Sequence, residues 1–496
     1  NAGQLRAYRV GVASCSMPVE LQINPTEDAS FSYSSSSYCT DGQDPVATIT
    51  GTLGGVFSST PSGMSINGST GEIDLSLSNV LSGSYNNTYR VSYVTPGACS
   101  QSSSQLVFVM DEGISYSDSV YCQDAINPTP TMSPLTNGYF YSDSSLVIDS
   151  CTGYIDLAAS DTGSHLVYYE SYSGSSEHGT ALDGREVNDN LGEEVTLSYS
   201  GTKMASISGE RARVYSWDGD SWGQLGLDII RSGTAKLAIS GDGYRLVVSS
   251  DSIRVYEWNG SLWGQLGSSV EGSGAKVHMN ADGSRFVEGH STTTKVYVWN
   301  GYSWGNVFTQ SYDGSDVSMN GAGDRVIVGN IYEDLGYTNT GGARMFREVS
   351  GSWSQMGVLP NFNFSSYDYY GSDVSMSGLG DHIALGSSSD QSVMIYKWDG
   401  SNWQYESYFS NVERASFNYL GDNIALGGTH RFNVYKKTHC GSWKFLSNDY
   451  YSGSSVSVSM DSTGNYVAVG LPDMDDHGTN AGQLRAYRVG VASCSM

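Results

Sequence analysis

The sequence predicts an all-β protein in which two small β-sandwich domains precede a seven-bladed β-propeller. Helical periodicity is nearly absent, and short runs of alternating apolar and polar residues are separated by Gly, Asn-Gly and Asp-Gly turns. This pattern is typical of strands joined by tight hairpins. One unit, about the length of a small sandwich domain, is repeated twice, and a different unit is then repeated seven times. Repeats of four short strands predict a propeller, because radial repetition protects the sheet edges.

Residues 1–17 recur letter for letter as residues 480–496. This identity indicates a window from a longer parent chain with a period of 479 residues, cut or processed before Asn1. We therefore interpret 1–17 as the last-blade strand of a preceding repeat copy, and expect it to lie outside this chain's own propeller. The copies could follow one another in a continuous polyprotein, or one strand could be donated to a neighbouring subunit. The continuous chain is favoured, because tandem duplication explains the identity.

Two related units follow, at 18–112 and 113–183. A Tyr-x4-Tyr-Cys motif that ends at Cys39 returns with its end at Cys122, and Gly71-Glu-Ile-Asp-Leu returns as Gly153-Tyr-Ile-Asp-Leu. The first motif is displaced by 83 residues and the second by 82. The near-constant displacement predicts two copies of one small domain.

The propeller is predicted over 184–496, where an Arg-Val-Tyr-x-Trp strand, a two-residue turn and a second Trp form the clearest repeat. The second tryptophans are expected at equivalent sites of successive blades: Trp222, Trp263, Trp304, Trp353, Trp403 and Trp443. Asp-Gly and Asn-Gly pairs supply the positive φ angles of type I′ hairpins. A second column of turn glycines precedes an apolar strand in each unit: Gly201, Gly243, Gly283, Gly323, Gly380, Gly421 and Gly464. A solenoid of the same units is the structural alternative, but it would require atypical capping units.

The first of the two related units resembles the Ig-like repeats of large secreted surface proteins, through Gly54-Gly-Val-Phe-Ser-Ser-Thr-Pro-Ser-Gly63 and Gly71-Glu-Ile-Asp-Leu75. The propeller repeats resemble the FG-GAP-like blades of large extracellular proteins. The Ig-like resemblance implies a Cys39–Cys99 disulfide in the first unit. The second unit lacks an equivalent of Cys99, and Cys151 stands where the first has Ser69, so a Cys122–Cys151 bridge is the second expectation.

The cysteine count favours disulfides in an oxidising compartment. Cys15 and Cys494 are one repeat position seen twice, which leaves an even number of cysteines in each period, and none has zinc-type spacing. Cys440 and Cys494 lie near the hairpin ends of adjacent blades and are expected to join the last two blades. Four sequons fit the same compartment as glycosylation candidates: Asn67, Asn86, Asn259 and Asn363.

Charge and composition exclude several classes of function. The formal net charge is −26 and the chain has no basic stripe, which disfavours nucleic-acid binding. No stretch approaches the 18 or so apolar residues that a membrane-spanning helix needs. Only 15% of the residues are charged while 35 are tyrosines, and we interpret this as a polar, Tyr-rich surface typical of secreted β proteins.

Catalysis and metal binding find little support. Ser221 and Ser303 stand in Gly-x-Ser-x-Gly windows, but these windows fall in blade hairpins and not in the strand-turn-helix context that a nucleophile needs. The histidines are scattered, so no triad can be named. Asp473, Asp475 and Asp476 have the spacing of a calcium loop. We interpret the loop as a solvated acidic loop, with calcium as the alternative, and expect no other cofactor.

The sequence therefore predicts a non-enzyme. The leading hypothesis is a structural repeat unit of a secreted or cell-surface filament, appendage or giant adhesin, with identical repeat copies as its partners. The alternative is an adhesion module whose propeller binds a glycan or a protein. That alternative predicts exposed aromatic residues at one blade end, drawn from Tyr367, Tyr369, Tyr370, Tyr450 and Tyr451.

Overall fold

The chain divides into two compact units in a computed structural model. The first unit extends to Ser171, and the described part of the second begins at residue 175. The structure describes residues 26–35, 37–39, 43–78, 88–97, 99–110, 114–132, 138–142, 145–171, 175–230, 236–272, 274–334, 337–360, 365–438, 441–451, 456–474 and 478–490. All regular structure in these ranges is β, as the sequence predicts.

The first unit consists of short strands in small antiparallel sheets, with one parallel pair. Its strands are β1 Phe31–Ser32, β2 Ser37–Cys39, β3 Thr48–Ile49, β4 Val56–Thr60, β5 Ser65–Ile66, β6 Ile73–Asp74, β7 Thr88–Val94, β8 Ser102–Met110, β9 Ile114–Ser115, β10 Thr131–Met132, β11 Gly138–Ser142 and β12 Val167–Ser171. The largest sheet has the order β2-β8-β7-β4, and β2 runs parallel to β8. The pairs β1-β3, β5-β6, β9-β10 and β11-β12 complete the described sheets.

The two related segments of the first unit make the same contacts. The Tyr33 hydroxyl donates to the carbonyl of Gly71 at 2.6 Å, and the Tyr116 hydroxyl donates to the carbonyl of Gly153 at 2.7 Å. Both glycines have a φ of +68°, and a Cβ on either would lie within 3 Å of a phenylalanine ring. Glycine is needed because the turn is left-handed and because the ring packs directly on its Cα. The internal repeat therefore extends to individual hydrogen bonds.

The second unit is a β-propeller. Its strands are β13 Ser175–Glu177, β14 Leu182–Asp183, β15 Val195–Leu197, β16 Lys203–Ser208, β17 Arg211–Trp217, β18 Trp222–Gln224, β19 Ile229–Ile230, β20 Lys236–Ile239, β21 Arg245–Ser249, β22 Ile253–Trp258, β23 Trp263–Gln265, β24 Lys276–Met279, β25 Arg285–Gly289, β26 Thr294–Trp299, β27 Trp304–Gln310, β28 Asp316–Met319, β29 Arg325–Asn330, β30 Gly342–Val349, β31 Ser352–Gln355, β32 Tyr370–Met376, β33 His382–Ser387, β34 Ser392–Trp398, β35 Trp403–Ser410, β36 Arg414–Phe417, β37 Asn423–Gly428, β38 Arg431–Lys437, β39 Trp443–Tyr450, β40 Ser457–Met460, β41 Tyr466–Leu471 and β42 Gln483–Val489.

These strands form antiparallel sheets in chain order, each beginning at an inner strand. The sheets are β15-β16-β17-β18 with β19, then β20-β21-β22-β23, β24-β25-β26-β27, β28-β29-β30-β31, β32-β33-β34-β35, β36-β37-β38-β39, and β40-β41-β42 with β13 and β14. Each inner strand contacts the inner strands on either side, and β15 contacts both β20 and β40. The inner strands therefore close a circle around a central channel.

The last sheet takes its outermost strands from the beginning of the unit. β42 lies between β41 and β13, with Ser176 opposite Arg488, and β14 continues the pairing with Leu182 opposite Leu484. Such pairing joins the two ends of the propeller in one sheet. The unit therefore includes residues that the sequence analysis assigned to 113–183. The described part of the duplicated segment 480–496 provides an interior strand, whereas residues 1–17 lie outside the described residues.

A circle of backbone hydrogen bonds joins the turns that follow the inner strands. The bonds are 2.7–3.1 Å long and run from Tyr199 N–H to Gly241 C=O, Gly241 to Ala281, Ala281 to Gly321, Gly321 to Gly378, Leu379 to Tyr419, Tyr419 to Ser462 and Ser462 back to Tyr199. Every bond crosses from one sheet to another. The circle satisfies buried backbone groups that no ladder can reach, and it fixes each sheet to the next.

The predicted glycine and tryptophan columns mark contacts between sheets. The seven turn glycines have φ angles of +67° to +76°, and a Cβ on Gly243 would lie 2.6 Å from the Lys203 side chain of the previous sheet. The indole N–H of Trp263 donates to Leu225 C=O at 2.8 Å, and that of Trp403 donates to Met356 C=O at 2.8 Å. In five sheets an indole bond holds the outer end to its neighbour, whereas the Trp353 indole N–H has no partner among the described residues. The columns therefore record interfaces between sheets as well as hairpins.

Candidate functional site

One residue at the beginning of each inner strand lines the channel. Each of these residues stands four positions before the buried polar residue that opens the turn, and they come in the order Glu194, Lys236, Lys276, Asp316, Asp373, Arg414 and Ser457. All but Ser457 are partly exposed, and they comprise three acids and three bases. Opposite charges stand next to each other in three of the neighbouring pairs. We call these seven residues the charged ring.

The acidic members of the charged ring hold neighbouring sheets together. Asp316 accepts a hydrogen bond from the backbone N–H of Val374 at 2.8 Å, and Asp373 accepts one from Ala415 N–H at 2.9 Å. In both cases a single oxygen, Oδ2, accepts this bond. Carboxylates can accept several hydrogen bonds, so each has further capacity on the channel side.

The carboxyl pKa values are shifted in opposite directions on the two sides of the charged ring. Burial alone would raise the pKa of Glu194, but the Lys236 ammonium, 2.5 Å from Oε2, holds that pKa below its usual range. Burial raises the pKa of Asp316, and burial together with the charge of Asp316 raises the pKa of Asp373 to about 7. Two nearby carboxylates cannot both ionise freely at low dielectric. The Asp316–Asp373 pair therefore shares a proton near neutral pH.

The opposite end of the channel is closed by aromatic side chains. Tyr199 and Tyr419 meet edge to face with ring centroids 5.8 Å apart, although the sheet that begins with β40 lies between their two sheets. A Cβ on Gly321 would lie 2.9 Å from the Tyr419 ring and 3.1 Å from the Tyr199 hydroxyl. Burial raises the pKa of Tyr199 to about 12, so its hydroxyl stays protonated. Access to the charged ring is therefore from the end at which the inner strands begin.

A second set of charges lies along the Arg-Val-Tyr-x-Trp column. Its first residue pairs with an acid at 2.6–3.2 Å in five sheets: Arg213–Asp189, Arg254–Asp251, Lys295–Glu288, Arg344–Glu333 and Arg485–Glu177. Only the Arg213 side chain is fully buried, and Asp189 beside it is 3% exposed. Met394 and Asn433 stand at this position in the other two sheets. The sequence pattern does not reveal these ion pairs, because the acids come from different places in the repeats: Glu177 and Glu288 lie in strands, and the others lie in loops.

The calcium alternative has no structural support in the described part of the chain. Asp473 is half-buried in a turn after β41, and Asp475 and Asp476 lie outside the described residues. Within the described ranges, no group of three or more His, Cys, Asp or Glu side chains is placed to hold a metal ion. Ser221 and Ser303 lie in exposed hairpins, as predicted, where Asp218 and Asn300 bind their backbone N–H groups.

The described sequons have structural roles. The Asn67 side-chain oxygen accepts hydrogen bonds from the N–H groups of Ser69 and Thr70, and Asn259 accepts from Ser261 and Leu262. In both places the turn itself therefore explains why the sequence has the Asn-x-Ser pattern of a sequon. Asn86 and Asn363 lie outside the described residues. Glycosylation remains a prediction at all four sites.

The predicted Cys122–Cys151 bridge is wrong. Cys122 is an exposed free thiol, whereas Cys151 is disulfide-bonded. The expectation rested on a comparison of the two copies. Cys151, however, occupies the turn position of Ser69 and not the position equivalent to Cys99. The predicted Cys39–Cys99 bridge is wrong as well, because the Cys99 sulfur is not part of a disulfide. The side chains of Cys440 and Cys494 lie outside the described residues, so that bridge stays a prediction.

The described residues include no helix long and apolar enough to cross a membrane. No protein-family model and no curated protein matches the chain. The chain is similar to solved β-propellers at very low sequence identity. The RRP9 WD40 repeats match with a TM-score of 0.48 and 10% identity, over 64% of this chain and 99% of that one. The structure of U3-55K matches with a TM-score of 0.46 and 11% identity over 62% and 98%, and the Cps50 (Swd1) β-propeller domain of Myceliophteria thermophila with 0.46 and 9% over 64% and 99%.

The hypothesis of an extracellular filament, appendage or adhesin is contradicted by this comparison, in which none of the three propellers is described as a fibre or surface protein. Identical repeat copies and glycans as partners, and an extracellular or cell-surface location, are withdrawn with it. The composition misled because several tyrosines pack inside the sheets, with Tyr93 and Tyr396 fully buried. The free Cys122 also weakens the argument for an oxidising compartment.

Proposed function

We propose that the sheets of the second unit are seven blades, closed by β13 and β14, and that the two segments of the first unit are Ig-like sandwiches. The circle of hydrogen bonds that returns to Tyr199 supports the blade count. The parallel pairing of β2 with β8 next to antiparallel strands supports the second assignment. FG-GAP-like blades remain the proposal for the propeller repeat.

For the function, we propose a non-catalytic protein-interaction module that receives its partner on the face where the inner strands begin. The observation that carries the proposal is the Asp316–Asp373 pair. These carboxylates come from neighbouring sheets and share a proton near neutral pH, although Lys276 and Arg414 also lie in the charged ring. The pair is therefore short of positive charge. A lysine or arginine side chain of a partner would replace the shared proton there.

The net charge of the chain supports a basic partner. At −26, the protein attracts positively charged segments over long distances and accelerates their encounter. The tyrosines at the other end of the channel leave one face open to such a segment.

Calorimetry with a labelled Gly-Lys-Gly-Lys-Gly peptide tests the proposal. If the ammonium replaces the shared proton, binding at pH 7 releases a proton, and the measured heat depends on the ionisation enthalpy of the buffer. Asp373→Asn should abolish the proton release and weaken binding about fivefold to tenfold. Asp220→Asn, in an exposed hairpin, removes the same charge and serves as the control. Equal affinities for the two variants, or binding without proton release, would refute the proposal.

A further inference from the structure

The propeller contains one loop arrangement twice, and the two copies differ in charge. In the first copy, Asn188 N–H donates to Thr479 C=O at 2.9 Å and Asn190 N–H donates to Asn480 C=O at 3.0 Å. In the second copy, Tyr367 N–H donates to Thr338 C=O at 2.9 Å, and Tyr369 N–H donates to Asn339 C=O at 3.3 Å. A parallel bridge follows in each copy, between Leu191 and Gly482 and between Tyr370 and Gly341. We call these the asparagine copy and the tyrosine copy.

An aspartate occupies the same place in both copies, between the two residues with positive φ. In the asparagine copy this is Asp189, which binds the buried guanidinium of Arg213 at 2.8 Å. A second carboxylate, Asp228, lies 3.3 Å from the same guanidinium. The asparagine copy is thus a complete site in which two carboxylates bind one arginine of the chain itself.

The tyrosine copy has an aspartate at the same place and a second carboxylate nearby, at a position different from that of Asp228, but it lacks the arginine. Its aspartate is Asp368, and the place of Arg213 is taken by Met394, which stands two residues before a buried tyrosine just as Arg213 does. Asp390 is the second carboxylate near Asp368, and burial and the charge of Asp390 raise the pKa of Asp368. Among the described residues, only the backbone N–H of Ser365 donates a hydrogen bond to the Asp368 carboxylate. The described part of the tyrosine copy therefore has no cation at the place that Arg213 fills in its counterpart.

Exposed tyrosines surround this carboxylate pair. Tyr367 is 54% exposed and lies 6.1 Å, ring centroid to centroid, from Tyr369, while Tyr332 and Tyr337 on the facing loop are each 60% exposed. Tyr408 donates to Asp390 at 3.3 Å. Tyr367 and Tyr369 also hold φ angles of +70° and +55°, where the other copy has asparagines. Asparagine adopts a positive φ much more readily than tyrosine, so Tyr367 and Tyr369 have a backbone conformation that their residue type disfavours.

We propose that the tyrosine copy binds an arginine side chain of a partner protein, which takes the place that Arg213 fills in the asparagine copy. Asp368 and Asp390 bind the guanidinium, and the tyrosine rings stack on it. Arginine suits this site better than lysine, because its planar fork can engage two carboxylates and stack on aromatic rings at once. The inference rests on the proposed interaction function and adds a second contact point, which lies at the beginning of β32, five residues before Asp373.

Binding of a labelled Gly-Arg-Gly-Arg-Gly peptide, followed by fluorescence anisotropy, tests the site. Asp368→Asn should weaken binding about tenfold, while the control Asp220→Asn changes it less than about twofold. Tyr367→Asn with Tyr369→Asn installs the residues of the asparagine copy, so the fold is retained, and should weaken binding about fivefold. Met394→Arg should fill the site from within and compete with the peptide. The corresponding lysine peptide should bind several-fold more weakly than the arginine peptide.

The outcomes separate this site from the channel. If Asp373→Asn weakens binding of the arginine peptide while Asp368→Asn matches Asp220→Asn, the tyrosine copy is not the binding site and the channel proposal stands. If Asp368→Asn weakens binding and Asp373→Asn does not, the tyrosine copy is supported and the channel proposal fails. The two peptides are also compared in the Asp373→Asn variant, in which the channel contact is removed. If this variant does not bind the arginine peptide, or binds the lysine peptide equally well, the inference is overturned.

Discussion

Replacing Arg213 by methionine tests how much the buried ion pair contributes to the propeller. The Arg213 side chain is fully buried, and Nη1 lies 2.8 Å from Asp189, itself 3% exposed. Loss of one partner leaves an uncompensated buried carboxylate, which typically costs about 3–5 kcal/mol of unfolding free energy. Two features place the expected loss of unfolding free energy near the lower end of this range. Arg211 lies 4.0 Å from Asp189 and replaces part of the charge, and Arg213 Nη2 has no partner among the described residues.

Arg254→Met is the matched control, because Arg254 occupies the same column and pairs with Asp251 at 2.7 Å, but both side chains are more exposed. Exposed pairs contribute less than about 1 kcal/mol. All ten tryptophans belong to the propeller unit, so tryptophan fluorescence in urea reports its unfolding separately from that of the first unit. We expect Arg213→Met to lower the free energy of unfolding by about 3 kcal/mol and Arg254→Met by less than about 1. Equal losses would refute the role assigned to burial.

Three further predictions concern the propeller. Trp263→Phe removes an indole hydrogen bond and should cost about 1–2 kcal/mol more in urea unfolding than Trp353→Phe, whose indole N–H has no partner among the described residues. Gly241→Ala places a Cβ 2.8 Å from a backbone oxygen and should destabilise by about 2 kcal/mol, whereas Gly223→Ala has open space and should stay within about 0.5. The folded pKa of Asp373 is raised to about 7, so the folded state holds a proton that the unfolded state has lost. As the pH rises from roughly 4 to 7, the free energy of unfolding should therefore fall by at most about 1.4 kcal/mol per pH unit, and it should level off above about pH 7. Asp373→Asn should flatten that slope in urea titrations; an unchanged slope would contradict the assignment.

The repeats were predictable from the sequence because they are local. The turn glycines must adopt positive φ wherever an inner strand turns back, and the paired tryptophans begin wherever a hairpin ends, so both columns recur at a regular spacing. The repeat of Tyr33 as Tyr116 likewise predicted two related segments, and the two tyrosines form equivalent hydrogen bonds. The candidate site was not predictable in this way. Glu194 and Asp373 fall in different repeats with different charges, and only the closed circle of inner strands brings them to one channel.

The sequence by itself determined the all-β class, the two repeat types and the hairpin positions, because strand alternation and turn chemistry act over a few residues. Tertiary structure alone decided how the circle closes, since β13 pairs with β42 across more than 300 residues of chain. It also decided which charges meet. Asp189 binds Arg213, whereas Met394 stands at the position of Arg213 in the sheet that follows Asp368, so the difference lies in a residue on another strand of the same sheet. A linear pattern carries no such information, because the partner of a buried charge is set by packing and not by distance along the chain.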